Sequence, residues 1–224
     1  MTLKDWDRTL KPREKVMDRG IGSLSDSELL ALILRNGTRG NSAVALAEKI
    51  LNLSGGLAGL LNLSLNEIME LPGIGLAKGS EILACLEIIR RVNYQKTLMS
   101  DVISDPKALI SWLRCFIGNR DQEYFLAIFL NSHNRVISYV RLAQGANNVV
   151  SVEPGEIYRQ AMRLKASSLI IAHNHPSQIV EPSLADNLTT AQLERAGRMM
   201  NIPLKDHIIV SFNDYYSYRQ HERI

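Results

Sequence analysis

Only two cysteines, Cys85 and Cys115, occur among 224 residues. They are too few and too far apart for a disulfide framework or a paired-cysteine zinc site, so both read as buried reduced thiols. No apolar run approaches the roughly 18 residues that a membrane-spanning helix requires. The opening stretch MTLKDWDRTLKPREK carries too many charges for a signal peptide, which points to a cytoplasmic protein with no membrane partner. An excess of charge of one sign is also missing, since 26 Lys and Arg stand against 23 Asp and Glu. The net +3 divides into +2 for residues 1–100 and +1 for residues 101–224, so neither half has the basic stripe that would argue DNA binding by itself. What is present, with 46% hydrophobic residues, is enough apolar material for one large core or two small ones.

The hydrophobic period changes near residue 100, where we place a boundary between a helical domain (1–100) and an α/β domain (101–224). In LSDSELLALILRNGTRGNSAVALAEKILN, Leu29, Leu30, Ile33 and Leu34 share a helical face, and the turn Asn36-Gly37-Thr38-Arg39-Gly40 breaks it. Val44, Leu46, Ala47, Ile50 and Leu51 then resume it. Ser25 with Glu28 three residues on forms a capping box at the first start. A weaker echo places Ile68, Met69 and Leu71 before the turn Pro72-Gly73-Ile74-Gly75, and Ile82, Leu83, Leu86 and Ile89 after it. This second unit resembles the helix-hairpin-helix family, and the resemblance implies contact with a nucleic-acid backbone, non-sequence-specific, through Gly73, Gly75 and Lys78. Glycine lets a backbone approach closely, and a helix N-terminus with a lysine beside it suits a phosphate. The competing reading is a compact connector that buries Ile74. Gly79 stands where that family more often has alanine. Residues 91–109 are polar and read as a linker running into a helix near Asp105-Pro106.

In the second half, YFLAIFLN (124–131) is continuous enough for a buried strand, and RVISYVRLAQG (135–145) pairs back on it across the SHN turn. A helix begins near Pro154 with Ile157, Ala161 and Leu164 on one face. SSLIIAH (167–173) is a second buried strand, and a helix from Ser183 to about Met200 carries Leu184, Leu188 and Ala191 inward. DHIIVSF (206–212) and YYSY (215–218) complete a mixed sheet with helices.

His173 ends the strand SLIIA, where an open α/β sheet presents its reactive groups. Side-chain direction alternates along extended chain, so His173 and His175 project to one side and can share one ion. The helix starting at Ser183 brings Asp186, on its first turn, back towards them. Two nitrogens and a carboxylate suit a zinc ion with one position left for water. Ser183 and Asp186 also fit an ordinary capping box, which needs no metal.

The spacing His173-x-His175, seven residues, Ser183, two residues, Asp186 resembles the JAMM (MPN+) metalloprotease motif. The wording AHNHPS, preceded by LKASSLII, is similar to the bacterial RadC-like family, formerly labelled DNA repair proteins. The similarity extends to KPREKVMDRGIGSLSDSELLALILRNGTRG and LPGIGLAK, and so covers essentially the whole chain. It implies a JAMM/MPN-like, cytidine-deaminase-like mixed β-sheet flanked by helices, preceded by a small all-α domain. It further implies one Zn2+ per chain on His173, His175 and Asp186, and a catalytic glutamate at the start of the hairpin, for which Glu123 matches and Glu156 is the rival. Glu123 would take the proton of the attacking water, and Ser183 would donate to the developing oxyanion. The implied substrate is a peptide or isopeptide. RadC-like proteins commonly follow HNHPS with Gly-Asp, whereas this chain has Gln178-Ile179, a bulkier and less acidic turn at the mouth. His133, His207 and His221 read as a turn residue, a strand start and a surface residue. Three other readings stay open: a nucleic-acid-binding protein with a structural or vestigial metal site, a metal-dependent nuclease, and a two-histidine, one-carboxylate iron site.

Overall fold

A computed structural model describes residues 11–144 and 153–224. The chain divides into two compact units, Met1–Ile89 and Arg90–Ile224.

In the first unit α1 (Pro12–Arg19) starts on proline, whose missing N–H is harmless at that position. The expected capping box opens α2 (Asp26–Leu34): Ser25 Oγ accepts from the Glu28 N–H at 3.3 Å, and the Glu28 carboxylate accepts from the Ser25 N–H at 3.0 Å. Ser42 caps α3 (Ala43–Ser54), which ends at Gly55 in the left-handed conformation. A second capping box, Ser64 with Glu67, opens the short α4 (Leu65–Met69), and α5 (Leu76–Met99) follows the glycine turn. Leu30, Leu34, Leu46, Ile50, Ile68, Ile74 and Ile82 form the core. Each such side chain stabilises by roughly 1.5–3 kcal/mol when fully buried. Leu29, Met69 and Ile89, expected on inward faces, are exposed; Ala31 takes the inward position next to Leu30 instead. Gly73 has φ +94°, and a Cβ there would lie 2.4 Å from Thr38 Cγ2, so the turn requires glycine on both counts. A Cβ on Gly79 would come within 2.7 Å of Leu65 Cδ1, the end of a side chain that a small rotation would move aside.

In the second unit, residues 91–99, read from sequence as linker, are the end of α5. Their polarity hid Tyr94 and Leu98, which pack on the core, and Thr97, which donates to the Asn93 and Ala108 carbonyls. Next come α6 (Lys107–Phe116), β1 (Tyr124–Leu130), β2 (Val136–Gln144), α7 (Pro154–Arg163), β3 (Ser168–Asn174), α8 (Leu184–Met200), β4 (Leu204–Val210) and β5 (Tyr215–Ser217). The hairpin return was expected to reach Gly145, which lies outside the described residues.

The sheet order is β2-β1-β3-β4-β5, with β3 and β4 parallel and the other pairs antiparallel. Ile170, Ala172, Ile208 and Val210 face α6, whereas Leu169, Ile171 and Leu204 face the layer of α7 and α8. The register of β3 with β4 passes from Leu169–Leu204 to Ile170–Asp206, leaving Lys205 as an extra residue. Such a bulge re-aims the side chains beyond it. Leu204 and His207, an odd number of residues apart, therefore share the α8 side.

The helix α8 corrects the sequence reading. Leu184 is 75% and Leu188 58% exposed, and Ala191 is exposed too. The inward face is Asp186, Thr190, Leu193 and Gly197, a spacing of four, three and four residues. Gly197 sits where a Cβ would lie 2.6 Å from Tyr158 Oη and 2.7 Å from the Ile202 carbonyl, so α8 runs close against its neighbours.

Candidate metal centre

The strand β3 is buried along its length because it lies between β1 and β4 with helices on both faces. Its alternation sends His173 and Asn174 to opposite sides. On one side, Phe125 stacks on His173 with ring centroids 5.5 Å apart, which fixes the ring plane. His175, just past the strand end, turns to the same side as His173, and their Nε2 atoms lie 2.9 Å apart. The capping box of α8 was expected at Ser183 and is complete: the Asp186 carboxylate accepts from the Ser183 N–H at 2.8 Å, and Ser183 Oγ accepts from the Asp186 N–H at 3.1 Å. It does not use up the carboxylate. Asp186 Oδ1 lies 3.1 Å from His173 Nε2, and Oδ2 lies 3.4 Å from His175 Nε2. Among the described residues, His173, His175 and Asp186 are the histidine, cysteine and acidic side chains whose ligand atoms converge, all within 4.8 Å.

The proton positions suit a cation. His175 Nδ1 lies 2.6 Å from the Ile179 carbonyl, which can only accept, so Nδ1 carries the hydrogen and Nε2 offers its lone pair. Two facing nitrogens and a carboxylate so close to one another call for a positive charge between them, and these three residues could hold a metal ion. Burial pushes the Asp186 carboxyl up, but the adjoining His173 and His175 rings, with the Ser183 hydroxyl, outweigh it and hold it well below the usual carboxylate range. The Asp186 carboxylate raises the pKa of His175 against the effect of burial, with the Ile179 carbonyl and the charge of Glu123 adding to it.

Glu123 is half-buried at the entry to β1, within electrostatic reach of His175. Its segment is held by Asn174, the residue between the two histidines. Asn174 Oδ1 accepts from the Tyr124 N–H at 2.8 Å, and Nδ2 donates to the Arg120 and Gln122 carbonyls at 3.2 and 3.1 Å. Glu156, on the first turn of α7, lines a different surface hollow with Val140, Arg141, Arg159 and Arg163. Ser183 is exposed at the site, and its hydroxyl donates to Asp186 Oδ2 at 2.6 Å.

The substituted turn has a structural answer. Gln178 adopts φ +64°, a conformation natural to glycine, and its amide bridges outward from the loop. Nε2 donates to the Gly118 carbonyl at 3.1 Å, and Oε1 accepts from the Phe212 N–H at 2.9 Å. The loop that presents the Ile179 carbonyl to His175 is thereby tied at two points, while the Ile179 side chain is 61% exposed.

His207, read from sequence as a strand start without a role, is fully buried beside His173, with Nε2 2.9 Å from His173 Nδ1. Burial holds its ring well below the usual histidine range, and the neighbouring His173 adds to this. Sequence alone did not show it, because its direction depends on the bulge at Lys205. His133 lies exposed in the β1–β2 turn, and His221 stacks on Tyr216, so neither approaches the centre. In the first unit, Gly73 and Gly75 occupy the turn before α5, and Lys78 donates to the Gly37 carbonyl at 3.3 Å.

Residues 103–223 match the model of the RadC-like JAB domain, and residues 3–80 match the UPF0758 N-terminal model. A UPF0758 protein of Chromobacterium violaceum is 40% identical over 94% of both chains. One of Aromatoleum aromaticum is 42% identical over 94% of both, and one of Nitrosomonas eutropha 36% over 98% of both. Such a domain fits a metal-dependent hydrolase.

Proposed function

The chain belongs to the family of the RadC-like JAB domain, with the UPF0758 domain at its N-terminal end, and on that premise we propose that it is a zinc-dependent hydrolase of peptide or isopeptide bonds. The observation that carries the reading is the convergence of His173 Nε2, His175 Nε2 and the Asp186 carboxylate at the open end of β3, with Glu123 close by. Three protein ligands leave a position for water or substrate, whereas structural zinc sites usually fill all four with protein.

A bound zinc ion would polarise a water and the scissile carbonyl. The carboxylate of Glu123 accepts the proton of the attacking water and hands it to the leaving amine, so one group serves as base and then acid. Asn174 keeps that carboxylate in place by pinning the backbone on both sides of it. The Ser183 hydroxyl, exposed at the mouth, donates to the oxygen on which negative charge develops, exchanging its bond to Asp186 for that one. His175 and His173 do not move protons; their Nδ1 atoms are already engaged.

The test is a screen of peptide, isopeptide-linked and oligonucleotide substrates with the full chain. Cleavage of an amide bond, abolished by a chelator and restored by zinc, is expected. Phosphodiester cleavage with the same metal dependence would instead make the protein a nuclease, and metal uptake with no hydrolysis of either class would leave the ion a structural part.

For the first unit we propose contact between the Pro72–Gly75 turn and a DNA backbone, supported by the open space beside Gly75 and by Lys78 in the first turn of the helix that follows. Lys78→Glu is expected to weaken salt-dependent DNA binding equally for unrelated sequences. An affinity unchanged in the variant would contradict it.

A further inference from the structure

We propose that His207 is a positioning residue for the metal centre, acting with Thr190 to hold His173 in the tautomer that ligates. The inference rests on the metal-centre reading above and deepens it.

A buried chain of hydrogen bonds fixes the position of each hydrogen in turn. Thr190 Oγ1 lies 2.6 Å from the Asp186 carbonyl oxygen. A carbonyl cannot donate, so the single hydroxyl hydrogen of Thr190 is committed to that contact. Thr190 Oγ1 also lies 2.7 Å from His207 Nδ1, and with its own hydrogen already placed it can only accept there. His207 Nδ1 therefore carries a hydrogen. In the neutral ring Nε2 is then a lone pair, and it faces His173 Nδ1 at 2.9 Å. His173 must donate across that gap, which places its hydrogen on Nδ1 and leaves Nε2 bare towards His175 and Asp186. The opposite arrangement of hydrogens would block the ligand atom.

The chain also closes on itself. It begins at one ligand, His173 on β3, passes through His207 on β4 and Thr190 on α8, and ends at the main chain of another ligand, Asp186. The three elements β3, β4 and α8 are thus locked to one geometry, in addition to the direct approach of Asp186 to His173. All the side chains involved are buried, so no water competes for these bonds. Both rings are held flat from behind: Phe125 stacks on His173, and Tyr218 stacks on His207 with centroids 5.0 Å apart. The bulge at Lys205 exists in the strand at the point where it turns His207 into this chain. Outer partners of metal-bound histidines fix their tautomer and ring orientation, and losing one typically lowers metal affinity about 10- to 100-fold.

The experiment measures zinc affinity by competition with a chromogenic chelator, and the visible absorption of the Co2+-loaded protein, for the full chain and three variants. His207→Leu removes the acceptor and is expected to bind zinc about 10- to 100-fold more weakly. His207→Gln restores an acceptor oxygen for the His173 N–H and is expected to recover most of that loss. Thr190→Val keeps the shape but frees His207 to put its hydrogen on either nitrogen, and is expected to weaken binding and broaden the Co2+ bands. It carries the test alone should His207→Leu fail to fold. If all folded variants bind zinc as tightly as the wild type with the same Co2+ spectrum, His207 and Thr190 are packing residues and the inference is wrong. If the wild type itself takes up neither ion, the metal-centre reading fails, which is a different outcome from loss confined to the variants.

Discussion

Asp186→Ala is expected to lower metal affinity by more than about 100-fold, the upper end of what the loss of an outer partner causes, because Asp186 supplies the only carboxylate of the set. The consequence for stability separates two roles of the same side chain. As the reciprocal partner of Ser183 in the α8 capping box, Asp186 contributes on the order of 1 kcal/mol, which the variant loses whether or not metal is present. As a ligand it links metal to folding: at a free metal concentration of about 100 times the wild-type Kd, the wild type gains about 2.7 kcal/mol, and the variant at most about 0.4 kcal/mol. Denaturation with a chelator and with added zinc therefore gives a small constant difference in the first case and a large one in the second. Equal metal-dependent stabilisation of wild type and Asp186→Ala would remove the aspartate from the site. The proton competes in the same place. Asp186 raises the pKa of His175, so as pH falls, protonation of Nε2 displaces the metal starting from a higher pH than an ordinary histidine would allow.

Glu123→Gln is expected to lower turnover of a cleavable substrate by about 10²- to 10⁴-fold while leaving metal content at the wild-type level. The amide is nearly the shape of the carboxylate and can still be held by the Asn174 clamp, since that clamp grips only backbone atoms around it. What disappears is the capacity to accept a proton. Glu156→Gln is the matched control, because Glu156 lies with Arg141, Arg159 and Arg163 in a hollow that none of the three ligand residues lines. Loss of activity in Glu156→Gln with full activity in Glu123→Gln would exchange the two assignments.

Much of the second unit can be read from residue pattern. The β1–β2 hairpin, the buried strand ending at His173 and the capping box at Ser183 each depend on local signals: an apolar run, a turn, a hydroxyl three residues before an acid. The spacing of His173, His175 and Asp186 is visible for the same reason, since strand alternation and the first helical turn are both short-range geometry. The face of α8 was not, because apolarity is a poor guide where a helix turns a ligand inward. Leu184 and Leu188 stay exposed so that Asp186 and Thr190 can point at the sheet. His207 was missed because one extra residue in β4 reverses which side it faces, and bulges leave little trace in composition. No local signal marks Asn174, the residue between the two histidines; its role depends on a segment 50 residues earlier in the chain, a contact only the folded sheet supplies. Gln178 is the opposite case, visible as a departure from related sequences but interpretable only once its φ and its two amide bonds are known.

The most direct test of the central claim is the metal content per chain of untagged protein purified without chelators, measured by elemental analysis beside His175→Ala. Close to one zinc per wild-type chain, absent from the variant, is the predicted result. A wild type that carries no metal and takes up none when zinc is supplied would contradict the account, leaving His173, His175 and Asp186 as a strand end and a helix cap.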